Sequence, residues 1–464
     1  MIAIPIYKLT IVELSEMIRD RHVSCLEVVE EYLERIRKHN SKLNAYITID
    51  EEGALKEARK LDELIKEGKY LGPLHGIPIA IKDLIDVKGL PTTCGSKNLA
   101  NNVASRDAKL VSELRKNGAI IIGKTNCHEF GIGATNRNAS YGDCKNPWDV
   151  SRISGGSSGG SAAAVSAGLC AASIGTDTGG SIRIPSSLCG VVGLKPTYGS
   201  VSLHGVVPLA PSLDTVGPIT RTSHDAEIIL KAISGTYYDR LKEPLNRTTD
   251  KITLGVLETF IEHSSIEVMT LIEKLLKKLE QREVILNPVS IRDYRDINTV
   301  TNILMLSEAA ATHDKYLRHK GISIYFDKEL IHRLLTGRLM PAHAYINAIK
   351  LRKLFQTEIN NILRNFDALI CPTIPITAPK ISERRIKIEN KSGIKRFDVT
   401  TALTMYTRLA NLTGLPALTV PCGLTNNGLH VGVQLIGKKC SERKLFYIGN
   451  IIENLTGRFL PPSF

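Results

Sequence analysis

The residues in this sequence that could do chemistry are serines set among glycines between 154 and 186, and Lys82, at the end of an apolar run. The first cluster reads Ser154-Gly155-Gly156-Ser157-Ser158-Gly159-Gly160-Ser161. The second reads Gly175-Thr176-Asp177-Thr178-Gly179-Gly180-Ser181-Ile182-Arg183-Ile184-Pro185-Ser186. Glycine loses more backbone freedom on ordering than any other residue, so two such clusters need a reason. Close approach of backbone N–H groups to a ligand is one, and unusual torsion angles are another. A flexible Gly/Ser linker is the bland reading, but Ala, Val, Leu and Ile fill the interval between the clusters and argue against it. A serine hydroxyl is a weak nucleophile until a base takes its proton, and pairing with lysine is one known solution. Lysine acts as a base only when neutral, and burial lowers its pKa. Lys82 follows Gly76-Ile77-Pro78-Ile79-Ala80-Ile81, which predicts a short buried strand. A strand-end surface lysine is the other reading, and the serine clusters decide against it.

The segment from Gly155 to Ser186 resembles the amidase signature, and Lys82 stands where that family keeps its lysine. The spacing of Lys82, Ser157 and Ser181 fits too, as do Gly123-Lys124-Thr125-Asn126, Gly193-Leu194-Lys195-Pro196-Thr197, Cys371-Pro372-Thr373 and Asn411-Leu412-Thr413-Gly414. The resemblance spans most of the chain. It implies amide hydrolysis with Ser181 as nucleophile, Lys82 as ultimate base, and Ser157 relaying the proton across a cis Gly156–Ser157 peptide. It also implies an oxyanion hole from the backbone N–H groups of Thr178, Gly179, Gly180 and Ser181. Asp177 and Arg183 flank the nucleophile with opposite charges and are read as scaffold for its loop. The family's pocket is built near 130–136, so Gly131, Ala134 and Thr135 are candidate substrate contacts. No cofactor and no metal are expected.

Two other motifs are rejected. Gly118-Ala119-Ile120-Ile121-Ile122-Gly123-Lys124-Thr125 matches the phosphate-loop pattern, but its middle residues read as the strand itself, whereas the motif needs them in a loop. Gly155-Gly156-Ser157-Ser158-Gly159 matches the nucleophile elbow, which needs a strand directly before it and a later Asp and His. Asn146-Pro147-Trp148-Asp149 reads as a turn, and His204, His224 and His430 read as structural or solvent-facing.

Within the family, free-standing amidases must be separated from the glutaminase component of the tRNA-dependent glutamine amidotransferase, which passes ammonia from glutamine to a partner. Glutamine carries an α-carboxylate and an α-ammonium, and the family pattern implies an arginine and an aspartate to hold them. Arg333 resembles the arginine position, with a solvated helix arginine as the other reading. Thr404 stands where the aspartate is expected, and Val399 to Asn411 holds no acid, the nearest being Asp398. The sequence therefore favours a free-standing amidase acting on a small-molecule amide. Amidotransferase partner subunits enter only under the alternative. A catalytically degenerate binding protein is the weaker third reading, opposed by the intact Lys82, Ser157 and Ser181.

The elements that must position these residues follow from hydrophobic patterning. Residues 10–68 read as helices, with a capping box at Ser24 and Glu27. Apolar runs at 119–122, 169–174 and 367–371 read as buried strands, and 107–117 and 160–168 as helices between them. The pattern predicts an α/β fold, a mixed sheet sandwiched between helices. One compact domain is expected: N-terminal helices at 1–70, the catalytic core at 71–224, a helical excursion shaping the substrate pocket at 225–365, and a return to the core sheet at 366–464. Leu418 to Cys422 and Val431 to Ile436 read as a hairpin through Asn427-Gly428.

A chain of 464 residues, 43% hydrophobic, can bury a large core. Its formal charge of +13 invites a nucleic-acid reading. The densest basic run, 384–396, lacks interleaved aromatic residues and reads instead as a solvated loop or hairpin. Nine scattered cysteines without Cys-x-x-Cys spacing fit a reducing cytoplasm better than a disulfide framework or a zinc site. Met1-Ile2-Ala3-Ile4-Pro5-Ile6 is too short for a secretory signal, and no run of about 18 apolar residues occurs. Neither membrane nor direct nucleic-acid binding is expected, and a homodimer is compatible with the sequence.

Overall fold

Short apolar runs bounded by glycine and proline fold as strands, and most are buried along their whole length. In the computed structural model the described residues are 4–241, 251–291, 294–318, 326–391 and 393–462. Met1 to Ala3, part of the segment weighed as a signal, lie outside them, as do 242–250, 292–293 and 319–325 of the expected excursion and Ser392 of the basic run. The strands are β1 Tyr46–Ile49, β2 Pro78–Lys82, β3 Ile120–Thr125, β4 Lys145–Asn146, β5 Asp149–Ile153, β6 Ala172–Asp177, β7 Val192–Lys195 and β8 Thr215–Thr220. They continue as β9 Thr253–Val256, β10 Ile285–Pro288, β11 Ala368–Pro372, β12 Arg385–Asn390, β13 Gly393–Asp398, β14 Ala417–Leu424 and β15 His430–Gly437.

Eleven strands form one sheet in the order β1-β3-β2-β6-β8-β7-β14-β15-β11-β9-β10. It is mixed: β2 runs parallel to both β3 and β6, while β6, β8, β7, β14, β15 and β11 pair antiparallel in turn. Every residue of β2, β3, β6 and β11 is buried. Such strands need helices on both faces. On the N-terminal side these include Ile11–Arg19, Cys25–Leu43 and Glu51–Lys66. The Ser24/Glu27 capping box forms as the sequence predicts, and Thr10/Glu13 forms a second.

Three features depart from the pattern. Strand β1 interrupts the N-terminal helices. Its four residues, half of them polar, carry too short a signal to read. The segment 225–365 is not purely helical, because β9 and β10 extend the main sheet parallel to β11. Strand β5 does precede the first glycine cluster, but it pairs only with β4, in a separate two-stranded hairpin. The basic run forms the β12–β13 hairpin with mostly exposed side chains, and the β14–β15 hairpin turns at Gly428, where φ is +72°. Tyr406 stacks on Phe260, ring centroids 4.4 Å apart, tying segment 399–413 to the helices beyond β9. No helix among the described residues is long and apolar enough to cross a membrane.

Candidate active site

Paired on both edges, β2 carries its last residue, Lys82, into the interior, where it is fully buried. Its Nζ donates to Ser157 Oγ at 2.7 Å and to Thr176 Oγ1 at 2.7 Å. Thr176 belongs to the neighbouring strand β6. Ser157 lies between β5 and the helix Gly159–Ser166, after a cis Gly156–Ser157 peptide. Glycine at 156 has a steric cause: a Cβ there would stand 2.7 Å from the backbone N of Asn136. Burial lowers the Lys82 ammonium to about 8, against opposing attraction from Cys127, Asp177 and Asp214. A neutral amine so placed can donate to Thr176 and accept from Ser157.

The second glycine cluster forms the turn between β6 and the helix Arg183–Cys189. Asp177, the last residue of β6, accepts from Gly180 N–H at 2.8 Å and Ile182 N–H at 3.1 Å, and so folds the turn over itself. Arg183 meets the same carboxylate through Nη2 at 2.9 Å and Nε at 3.0 Å. Its remaining donors reach the Thr407 carbonyl, Gln434 Oε1 and Asn411 Oδ1 at 2.7, 2.6 and 2.6 Å. All five guanidinium N–H groups are therefore engaged. Burial alone would raise the Asp177 carboxyl, but Arg183 and Asn411 hold it well below the ordinary carboxylate range. Thr407 Oγ1 donates to the Gly179 carbonyl at 2.7 Å. Gly180 has φ +123°, and a side chain there would strike Thr407.

Ser181 follows this turn. The backbone N–H of Ser158 donates to the Ser181 carbonyl at 3.1 Å, joining the two serine clusters. Ser181 lines a cleft holding about 380 Å³ of space, part of it open to solvent, together with Thr178, Gly179, Gly131, Ala134, Arg333, Thr404 and Arg408. Two residues expected at the site face elsewhere. The Gly180 N–H is directed to Asp177, not the cleft, whereas among the described residues no acceptor is found for the N–H groups of Gly179 and Ser181. Thr135 is buried beside the cleft without lining it, and its hydroxyl accepts from Arg137 N–H at 3.4 Å.

Around the cleft, Thr404 Oγ1 donates to the Thr400 carbonyl at 2.9 Å. Asp398 caps the helix Val399–Thr404, accepting from Thr400 and Thr401 N–H at 2.9 and 3.2 Å. It lines an outer groove that shares Arg333, Thr400 and Arg408 with the cleft. Arg333 donates to Glu329 at 2.7 Å on the helix Lys328–Arg338. Sequence reasoning missed Thr176, Thr407 and Arg408. Of these only Arg408 carried a signal, as a charge within the otherwise apolar run Leu409-Ala410-Asn411-Leu412. Among the described residues no cluster of three His, Cys, Asp or Glu side chains could hold a metal ion.

The rejected motifs are occupied otherwise. Ile120 to Thr125 form β3, and Lys124 makes a buried ion pair with Asp83 at 3.0 Å. His430 packs between the Trp148 and Phe459 rings, centroids 4.3 and 4.7 Å away.

Residues 27–446 match the family described as Amidase. The GatA-type component of the glutamyl-tRNA(Gln) amidotransferase of Caldanaerobacter subterraneus subsp. tengcongensis is 37% identical, covering 97% of this chain and 96% of the relative. A crystal structure of an amidase superposes with a TM-score of 0.89 at 35% identity, covering 97% of this chain and 100% of the other. The corresponding glutamyl-tRNA(Gln) amidotransferase component of Thermotoga maritima superposes with a TM-score of 0.78 at 35% identity, covering 100% of this chain and 99% of the other.

Proposed function

Because the chain belongs to the amidase family and is a hydrolase of amide C–N bonds, we propose that it cleaves a carboxamide to acid and ammonia through an ester on Ser181. Ser181 Oγ attacks the amide carbon and passes its proton to Ser157, whose own proton moves to Lys82 Nζ. The N–H groups of Gly179 and Ser181, with Thr178, receive the negative charge that develops on the amide oxygen. The proton then returns along the relay to the leaving nitrogen, the C–N bond breaks, and ammonia departs. Water attacks the ester by the same relay, releasing the acid and restoring Ser181. The observation that carries this reading is the 2.7 Å contact between Lys82 Nζ and Ser157 Oγ, made by a lysine that burial keeps partly neutral. A fluorophosphonate probe with mass mapping tests it. Stoichiometric labelling at Ser181 is expected, and labelling elsewhere, or only in denatured protein, would reject Ser181.

A second reading sends the ammonia to a partner. The relatives favour it: the glutamyl-tRNA(Gln) amidotransferase components of Caldanaerobacter and Legionella pneumophila (strain Corby) are each 37% identical over nearly the whole chain. The free-standing amidase expected from the sequence has less support among them. Against the second reading, Thr404 supplies no carboxylate to the cleft. Efficient ammonia release from glutamine, and its transfer to glutamyl-tRNA when the other amidotransferase components are added, would establish it.

A further inference from the structure

Arg408 opens the helix Arg408–Thr413 with its side chain almost wholly buried, at 6% exposure. It lies over the nucleophile turn: a Cβ on Gly179 would stand 3.8 Å from both its Nε and its Cγ. Its Nη1 has only long contacts to the Asn298 carbonyl and Oδ1, at 3.4 and 3.5 Å, and its Nε is buried without a partner. Among the described residues no carboxylate pairs with it, and no Asp or Glu lines the cleft. The second cation there is Arg333, whose Nη2 holds Glu329. Burial, then repulsion from Arg333, lowers the Arg408 guanidinium to about 9. A buried charge without a counter-charge is costly unless something supplies one. Arg183, by contrast, has every donor satisfied, so unfilled capacity is not a general property of arginine in this fold.

We propose that Arg408, aided by Arg333, binds a carboxylate at the far end of the substrate, which is the monoamide of a short dicarboxylic acid without an α-ammonium. The proposal rests on Ser181 being the nucleophile and names the substrate of that site. A planar guanidinium fork matches a carboxylate. Because Arg408 packs against Gly179 itself, only a few carbons separate the bound carboxylate from the amide carbon. An ammonium beside it would face two guanidinium groups and the uncharged Thr404 and Thr400, which selects against glutamine by repulsion.

The test compares kcat/KM of the full-length enzyme for 4-carbamoylbutanoate, for pentanamide, in which a methyl replaces the carboxylate, and for glutamine, which adds the α-ammonium. The expected order puts 4-carbamoylbutanoate at least tenfold above each of the others. Arg408→Met lowers the ratio of 4-carbamoylbutanoate to pentanamide at least tenfold, and Arg408→Lys restores part of it. A wild-type ratio near one, a ratio that Arg408→Met leaves intact, or glutamine as the best of the three would overturn the proposal. Calorimetry on the Ser181→Ala protein separates this from failure of the parent reading. Tighter binding of 4-carbamoylbutanoate than of pentanamide upholds the anion site whatever the turnover, and equal or absent binding overturns it. Ser181→Ala that still hydrolyses these amides would remove the parent reading instead.

Discussion

Lys82 and Ser157 stand 75 positions apart in the chain, yet Nζ and Oγ meet at 2.7 Å in the buried centre of the sheet. The contact sets a pH dependence. Burial lowers the ammonium to about 8, and only the neutral amine can take a proton, so activity rises through pH 8 and levels above it. At pH 6 about one Lys82 in a hundred is neutral, and kcat/KM should fall about a hundredfold from its plateau. A profile flat from pH 6 to 9, with the chemical step limiting, contradicts Lys82 as the base. Lys82→Met should remove most activity at every pH.

The two serines should differ in weight. Ser181→Ala removes the atom that forms the ester, and loss of a nucleophile lowers kcat on the order of a million-fold in a comparable serine hydrolase. Ser157→Ala removes only the relay and leaves Lys82 held by Thr176, so more activity survives. Rates for both variants, with unchanged far-ultraviolet circular dichroism, check this. Equal losses would mean that Ser157 does more than pass a proton.

Much of this site could be read from the sequence because its chemistry is concentrated in two short segments. Glycines crowd Ser157 and Ser181 because backbone from Asn136 and the side chain of Thr407 occupy the space of any Cβ. Lys82 ends an apolar run whose burial is visible in its composition. What stayed hidden lies in pairings between distant residues. Nothing local distinguishes Thr176 from other strand threonines, although it fixes Lys82 from the adjacent strand. Gly180 stands beside the nucleophile, yet its N–H turns to Asp177, a choice made by a side chain three residues away. Strands β9 and β10 were lost among helices because each is four residues long and finds its partners only in the assembled sheet.

The buried pair of Asp177 and Arg183 makes a prediction about stability rather than rate. Asp177→Ala leaves a guanidinium buried without its counter-charge, and breaking such a pair costs about 3–5 kcal/mol. Urea unfolding should show this loss at neutral pH. The Asp177 carboxyl is held below its ordinary range, so its stabilisation is present above the unfolded pKa and disappears as pH falls toward the folded one. Wild type should therefore lose stability below about pH 4, and Asp177→Asn should show a shallower loss. A variant as stable as wild type at neutral pH would mean that Asn411 and Gln434 suffice to hold Arg183.

The remaining prediction concerns Thr404, whose hydroxyl donates to the Thr400 carbonyl and leaves the cleft without an acid. Thr404→Asp puts a carboxylate into a cleft that also holds Arg333 and Arg408. Two effects compete. The new acid can receive an α-ammonium, which favours glutamine. It can also pair with Arg408 and withdraw that guanidinium from the substrate carboxylate, which weakens 4-carbamoylbutanoate. Both move the preference the same way, so kcat/KM for glutamine relative to 4-carbamoylbutanoate should rise at least tenfold, or about 1.4 kcal/mol. Thr404→Asn, of similar shape but uncharged, separates charge from size and should leave the ratio near that of wild type. A matching rise in Thr404→Asn would show that space, not charge, sets the choice between the two amides.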